Sequence, residues 1–237
     1  MKILGLIPAR AGSKSIPFKN IVPLAGKALL VYTCIAAFQS KYLSRIILST
    51  DSKKIAAIGR LYNVEIPFLR PKRLALDKTP SIGVVLHALN WLQINNNWQP
   101  DAVVLLQPTS PLRTSAHIDE AINLFKKTKA DTVVSVMELP HKFSPYCAMQ
   151  IRKNQLYDFW KKAVGFDRFR RQELPPLYAR NGPAVLITRT SVILKKKSFY
   201  GERIVPYIMH EQDSIDIDTA FDLEITEHIL SKKGKKN

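Results

Sequence analysis

The amino-acid sequence predicts an α/β protein built on a mostly parallel sheet with helices on both faces. Apolar runs of strand length recur at 3–7, 45–50, 102–106 and 132–136, and stretches with helical spacing separate them. The run at 102–106 is apolar without alternation, as a strand covered on both faces requires. With 237 residues and 46% apolar content, the chain supports one large core.

The first strand runs into Ile7-Pro8-Ala9-Arg10-Ala11-Gly12-Ser13-Lys14-Ser15-Ile16-Pro17-Phe18-Lys19-Asn20. Its prolines disfavour continued strand or helix, so the backbone loops out at the strand end. Gly12 and Ser13 keep that loop slim, and Arg10, Lys14 and Lys19 supply cations with no acid among them, which suits a polyphosphate. The stretch has neither the Gly-Lys-Ser/Thr ending of a Walker loop nor the Gly-x-Gly-x-x-Gly of a dinucleotide fingerprint. A helix is expected over 29–40, where Leu30, Thr33, Cys34 and Ala37 share a face. After the strand at 45–50, Asp51 and Ser52 offer caps for a helix carrying Ile55, Ile58, Leu61 and Tyr62. A short strand at 64–66 precedes a helix from Ser81 with Ile82, Val85, Leu86, Leu89 and Leu92. A further helix starts near Thr114 with Ile118, Ile122 and Phe125 on one face, and the last carries Phe221, Ile225 and Ile229.

Open parallel sheets bind ligands beyond the carboxyl ends of their strands, so the loops there hold the candidate site. In Ser49-Thr50-Asp51 the acid reads as a helix cap with no catalytic role. The loop from Phe68-Leu69-Arg70-Pro71 to Asp77-Lys78-Thr79-Pro80-Ser81 places an arginine before proline and a hydroxyl at a helix start. In Gln107-Pro108-Thr109-Ser110-Pro111-Leu112-Arg113 the amide both donates and accepts and is assigned to a ligand, whereas Thr109 and Ser110 read as turn and cap residues. Residues 138–180 change rhythm, mixing prolines and aromatics with Lys161, Lys162, Arg168, Arg170 and Arg171, and read as an inserted arm. Near the end, Ser214-Ile215-Asp216-Ile217-Asp218-Thr219 puts two carboxylates on one face if extended. A hard dication, Mg²⁺ shared with phosphate oxygens, relieves their repulsion; the competing role is a cap by Asp218 or Thr219 for the terminal helix.

The net charge of +17 implies an attraction to anions, with Lys232-Lys233-Gly234-Lys235-Lys236 as its densest run. A basic nucleic-acid-binding protein using the arm and this tail would account for the charge but not for the paired aspartates. The apolar run before Pro8 is too short for a signal peptide and no stretch has membrane-span length, so a cytoplasmic protein without membrane contact is expected. Cys34 and Cys147 are expected as ordinary reduced packing residues.

Five of these motifs, in order, resemble the N-acylneuraminate cytidylyltransferase (CMP-sialic acid or CMP-nonulosonate synthetase) family: Pro-Ala-Arg-(x)2-Ser-Lys-(x)2-Pro-x-Lys-Asn, Leu-Arg-Pro with Asp-x-Thr-x-Ser, Leu-Gln-Pro-Thr-Ser-Pro-Leu-Arg-Thr, Arg-Gln-x-Leu-Pro with Asn-Gly, and Ser-Ile-Asp-Ile-Asp-Thr-x-x-Asp-Leu. The resemblance implies a Rossmann-like, nucleotidyltransferase-type α/β domain over 1–137 and 181–237, with the 138–180 arm serving homodimerisation. It implies transfer of CMP from CTP to a nine-carbon 2-keto sugar acid with release of pyrophosphate. Arg10, Ser13, Lys14 and Lys19 would hold the leaving phosphates, Asn20 the cytosine, and Arg70 and Ser81 the base and ribose or the acid. Gln107 and the partner chain's copy of Arg171 would meet the sugar acid; Asp218 would bind Mg²⁺, and Asp216 metal or the attacking hydroxyl's proton. A Kdo-type cytidylyltransferase is the alternative with the same chemistry, but as a rule it lacks the Gln-Pro-Thr-Ser-Pro-Leu-Arg and Ser-Ile-Asp-Ile-Asp-Thr pairing. Asn181-Gly182-Pro183-Ala184-Val185 departs from the family's usual Asn-Gly-Ala-Ile-Tyr. Val185 in place of the phenol is expected to alter sugar contacts and to admit acids such as legionaminic acid.

Overall fold

The structure is a computed structural model that describes residues 1–159 and 174–234. In chain order the elements are β1 (Ile3–Pro8), β2 (Pro23–Leu24), β3 (Lys27–Ala28), α1 (Leu29–Phe38), β4 (Arg45–Ser49), α2 (Lys53–Leu61), α3 (Ser81–Asn96), β5 (Ala102–Leu105), α4 (Ser115–Thr128) and β6 (Thr132–Glu138). They continue with β7 (Met149–Arg152), β8 (Gln155–Asp158), β9 (Tyr178–Arg180), β10 (Leu186–Arg189), α5 (Thr190–Lys196), β11 (Ile204–Ile208) and α6 (Ala220–Gly234).

The main sheet has seven strands in the order β11-β6-β10-β5-β1-β4, with β9 also paired to β6. β4, β1 and β5 are mutually parallel, and so are β6 and β11, while β10 runs antiparallel to both β5 and β6. Alternation along the central strands sorts their side chains onto two buried faces. Ile3, Ile7, Ala102 and Val104 meet Leu30, Cys34, Ile118, Ile122 and Phe125 of α1 and α4. Leu4, Leu6, Val103 and Leu105 meet Val85, Leu89 and Leu92 of α3 and Ile193 of α5. The expected strand at 64–66 is absent: only Glu65 bridges Ile47 in parallel, because the chain leaves α2 through a left-handed Asn63 and touches the sheet edge at one point.

The direction of β10 shapes the functional end of the molecule. Leu186 opens β10 opposite Leu105, the last residue of β5, so this strand begins at the carboxyl end of β5, while β6 runs on past it to Glu138. β9 and β10 follow one another along β6, with Arg180 opposite Val136 and Leu186 opposite Val134, so residues 181–185 bulge out across from Ser135. The arm thus starts and returns on paired strands. Within it, β7 and β8 form a hairpin whose two-residue turn, Lys153-Asn154, has both φ values positive (47° and 64°), the handedness that matches strand twist. Both cysteines are unpaired: burial pushes the Cys34 thiol up to about 12, and Cys147 lies 3.6 Å from His141 Nε2. No helix among the described residues is long and apolar enough to cross a membrane.

Candidate active site

A cavity of about 530 Å³ opens at the carboxyl ends of β1 and β5. Arg10, Ser13, Lys14, Lys19, Asn20, Arg70, Ser81, Gln107, Asp216 and Asp218, singled out from four separate stretches of sequence, all line it. Arg171 lies outside the described residues.

The loop after β1 is held by its own polar groups. Asn20 Nδ2 donates to the Arg10 carbonyl at 2.9 Å, and Asp51 Oδ1 accepts from Ala11 N–H at 2.9 Å. Asp51 is therefore not the cap expected from the sequence; Ser52 caps α2 by accepting from Ile55 N–H, which leaves Asp51 free to brace the loop. A Cβ added at Gly12 would meet nothing within 4 Å, so the protein's own packing does not require that glycine. Lys19 Nζ reaches across the chain to the Ile217 carbonyl at 2.8 Å and to Asp218 Oδ1 at 3.0 Å. Arg10 and Lys14 pair with Asp77 on the opposite wall.

Among the described residues, two arginines, Arg70 and Arg113, are almost fully buried. Arg70 donates from Nε to Ser49 Oγ at 3.1 Å and from Nη2 to the Ser49 carbonyl, and burial lowers it to about 10 with Asp51 opposing and Arg10 adding to the shift. Arg113 was not singled out from the sequence. Its Nη1 donates to the carbonyls of Gln107 (3.1 Å) and Ala184 (2.7 Å) and its Nη2 to Thr33 Oγ1 (2.5 Å), so one guanidinium joins the β5 loop, α1 and the 181–185 bulge. Burial lowers Arg113 to about 9. The side-chain amide of Gln107 has no hydrogen-bond partner among the described residues.

Asp216 and Asp218 lie on the irregular segment before α6, anchored by Ile217, which is fully buried against Leu24 and Leu29 and donates its N–H to the Thr109 carbonyl at 2.8 Å. The cap of α6 belongs to Thr219 and Asp222: Asp222 Oδ2 accepts from Thr219 N–H (2.7 Å) and Asp218 N–H (3.1 Å), and Thr219 Oγ1 accepts from Asp222 N–H (3.3 Å). Asp218 keeps its carboxylate for the cavity and Lys19. Asp216 sits against the bulge, where Gly182 (φ +65°) approaches so closely that a Cβ there would lie 2.2 Å from the carboxylate. Ser135, Asn181 and Ser214 fix this approach: Ser135 Oγ donates to Asn181 Oδ1 (2.6 Å), and Asn181 Nδ2 donates to Ser214 Oγ (3.0 Å). Asp216 Oδ1 is buried without a hydrogen-bond partner. Burial raises its carboxyl to about 6, with Asp218 and Asp222 adding to the shift and Lys19 opposing it; the Thr109 hydroxyl, which faces Asp216 without hydrogen-bond geometry, also opposes it. Thr109 lies in a turn, with Ser110 N–H donated to the Gln107 carbonyl at 3.4 Å, as the sequence suggested, but neither hydroxyl caps a helix; Thr114 caps α4, in a box with His117. Val185 is corrected as well. It is fully buried among Ile7, Ala9 and Leu106, with its N–H donated to Ser135 Oγ, and does not line the cavity.

These features predict an inverted pH dependence of stability. Because the folded-state value of Asp216 lies above the ordinary 3.8, its ionisation opposes folding as pH rises through about 6. Asp216→Asn should melt above wild type at pH 7 to 8, and the gain should vanish below about pH 4. Thermal scans across pH check this; an equal or lower melting temperature for the variant at pH 8 would contradict it.

A family model described as cytidylyltransferase matches residues 4–235. The chain is 38% identical over 235 residues to a CMP-N,N'-diacetyllegionaminic acid synthase of Legionella pneumophila, covering 97% of each. It is 35% identical to an N-acylneuraminate cytidylyltransferase of Escherichia coli, where 99% of this chain spans 54% of that one, and 30% identical to a pseudaminic acid cytidylyltransferase of Campylobacter jejuni, covering 94% of each. Among solved structures, a CMP:2-keto-3-deoxy-manno-octonic acid synthetase complexed with CTP superposes with a TM-score of 0.72 at 13% identity, over 98% of this chain and 100% of that one, a likeness of fold. The chain belongs to the cytidylyltransferase family of nucleotidyltransferases.

Proposed function

We propose that the protein transfers CMP from CTP to a nonulosonic acid, with N,N'-diacetyllegionaminic acid as the leading substrate because the full-length relative at 38% identity carries that name. The observation that carries the chemistry is one cavity in which the cations of residues 10, 14 and 19 face the carboxylates of residues 216 and 218. The acid's anomeric hydroxyl attacks the α-phosphate in line; the new P–O bond forms as the bond to the β-phosphate breaks, and pyrophosphate leaves. Catalysis of this kind is mostly positioning and charge neutralisation.

Arg10, Ser13, Lys14 and Lys19 hold the leaving β and γ phosphates, where charge grows in the transition state. Asn20, Arg70 and Ser81 line the nucleoside end, and Gln107 presents an unpartnered amide to the sugar acid. Asp216 and Asp218 fit Mg²⁺: their oxygens are hard donors, and one of them is buried with no partner. When bound, Mg²⁺ supplies Lewis-acid polarisation of the phosphate oxygens. No cluster of three or more His, Cys, Asp or Glu residues converges among the described residues, so a bound ion would take its remaining ligands from water and phosphate. A cytoplasmic location follows from the same reading.

The arm supports a homodimer. Phe143, Met149, Ile151, Leu156 and Phe159 are each more than half exposed in the single chain, apolar side chains of one segment that a second copy would cover. Arg171 of the partner chain completes the sugar site in this reading.

Pyrophosphate release with CTP, Mg²⁺ and a panel of nonulosonic acids tests the activity, and CMP-sugar should accumulate in step. Arg10→Ala and Lys19→Ala should each lower turnover by roughly 10²–10³. Asp218→Asn should abolish turnover at ordinary Mg²⁺ with the fold intact. Wild-type turnover in either cation variant would remove the loop from the chemistry. For the shared site, co-expressed Arg171→Ala and Asp218→Asn chains should regain activity in mixed dimers; demonstrated heterodimers that stay inactive would exclude it.

A further inference from the structure

Asp77 is an acid at the cavity that the reaction above does not use. It lies between the Lys72–Leu74 turn and α3, on the wall facing the loop after β1. Its two oxygens serve different cations: Oδ1 takes Arg10 Nη1 at 2.5 Å, and Oδ2 takes Lys14 Nζ at 3.0 Å. Arg10 Nη1 also lies 3.5 Å from the Ala75 carbonyl, so the same guanidinium ties the two walls together. The pairing with Lys14 and then Arg10 holds the Asp77 carboxyl below the usual carboxylate range, so it stays charged throughout the neutral range.

A carboxylate bridging two cations places two anionic oxygens where a di- or triphosphate would place two of its own. Arg10 and Lys14 therefore cannot give their full charge to a phosphate chain while Asp77 keeps them. The side chains of Arg10, Lys14 and Asp77 are 30%, 83% and 39% exposed, so solvent reaches both ion pairs, screening that of Lys14 most and that of Arg10 less. A strong, buried pair would lock the site; weak pairs exchange.

We propose that Asp77 is a tethered counter-ion for the phosphate cradle: it holds Arg10 and Lys14 in position while the cavity is empty, yields them to the incoming phosphates, and retakes them as pyrophosphate departs. This rests on the phosphate reading of the loop after β1. Because the binding-competent state is the one with Asp77 displaced, the apparent affinity for phosphate is reduced by the fraction of molecules in which the pair is made. A purely structural role for Asp77 makes the opposite prediction, since losing a brace would disorder the cations and weaken binding.

Calorimetric titration of the full chain with inorganic pyrophosphate separates these cases. Asp77→Asn keeps the shape of the side chain and removes its charge. It should bind pyrophosphate roughly two- to tenfold more tightly than wild type at low salt, with the gain shrinking at high salt, and pyrophosphate should inhibit its turnover more strongly. Binding equal to or weaker than wild type in the folded variant would overturn the proposal. Arg10→Ala serves as the separate control. If it loses pyrophosphate binding while Asp77→Asn gains nothing, only the counter-ion role fails; if wild type ignores pyrophosphate, or Arg10→Ala binds as wild type does, the phosphate reading fails and the proposal with it.

Discussion

A carboxylate oxygen buried without a partner opposes folding, and Asp216, half-buried at the cavity wall, is held with one oxygen in that condition by much of the architecture around it. The antiparallel β10 brings the 181–185 bulge to the carboxyl ends of β1 and β5, and Ser135, Asn181 and Ser214 lock it there. Gly182 then closes on the carboxylate, and buried Ile217 prevents the segment from turning Asp216 outward. The cost is local, and in the proposed function its compensation is specific: a dication shared with phosphate oxygens would neutralise the oxygen that the protein itself leaves unpaired.

The opposite charges are arranged with the same economy. A protein with a net charge of +17 has cations to spare, yet those of the loop after β1 are matched within the protein, Arg10 and Lys14 by Asp77 and Lys19 by Asp218. Each match joins distant parts of the chain. Residue 19 meets residues 217 and 218, so the loop after the first strand and the segment before the last helix form one unit. Arg113 does for the backbone what these pairs do for the side chains, satisfying carbonyls from two loops with one buried guanidinium.

Much of this was legible because it follows from local pattern. Unbroken apolar runs at 3–7 and 102–106 mark central strands, and the cations of the loop after β1, Gln107, Asp216 and Asp218 stand out by type and position. What was not legible depends on contacts between distant segments. Pro206 lies inside β11, where an edge strand tolerates it, and nothing local to Leu186–Arg189 shows that β10 runs antiparallel. Asp51 and Ser52 are equally good caps by type; only the position of Ala11 N–H decides between them. Val185 reads as a lost sugar contact until the bulge turns it inward, and Asp77, visible as part of a motif, shows its pairing with Arg10 and Lys14 only in the folded chain.

The claim on which the account rests is that Asp216 is a carboxylate awaiting a metal. Titration of ¹³C-labelled aspartate carboxyls by NMR, assigned with Asp216→Asn, reads this directly. In the free protein the Asp216 signal should titrate near pH 6, and with Mg²⁺ and CTP it should stay ionised well below that. A free-protein value in the ordinary range near 4, or one that Mg²⁺ and CTP leave unchanged, would contradict the account.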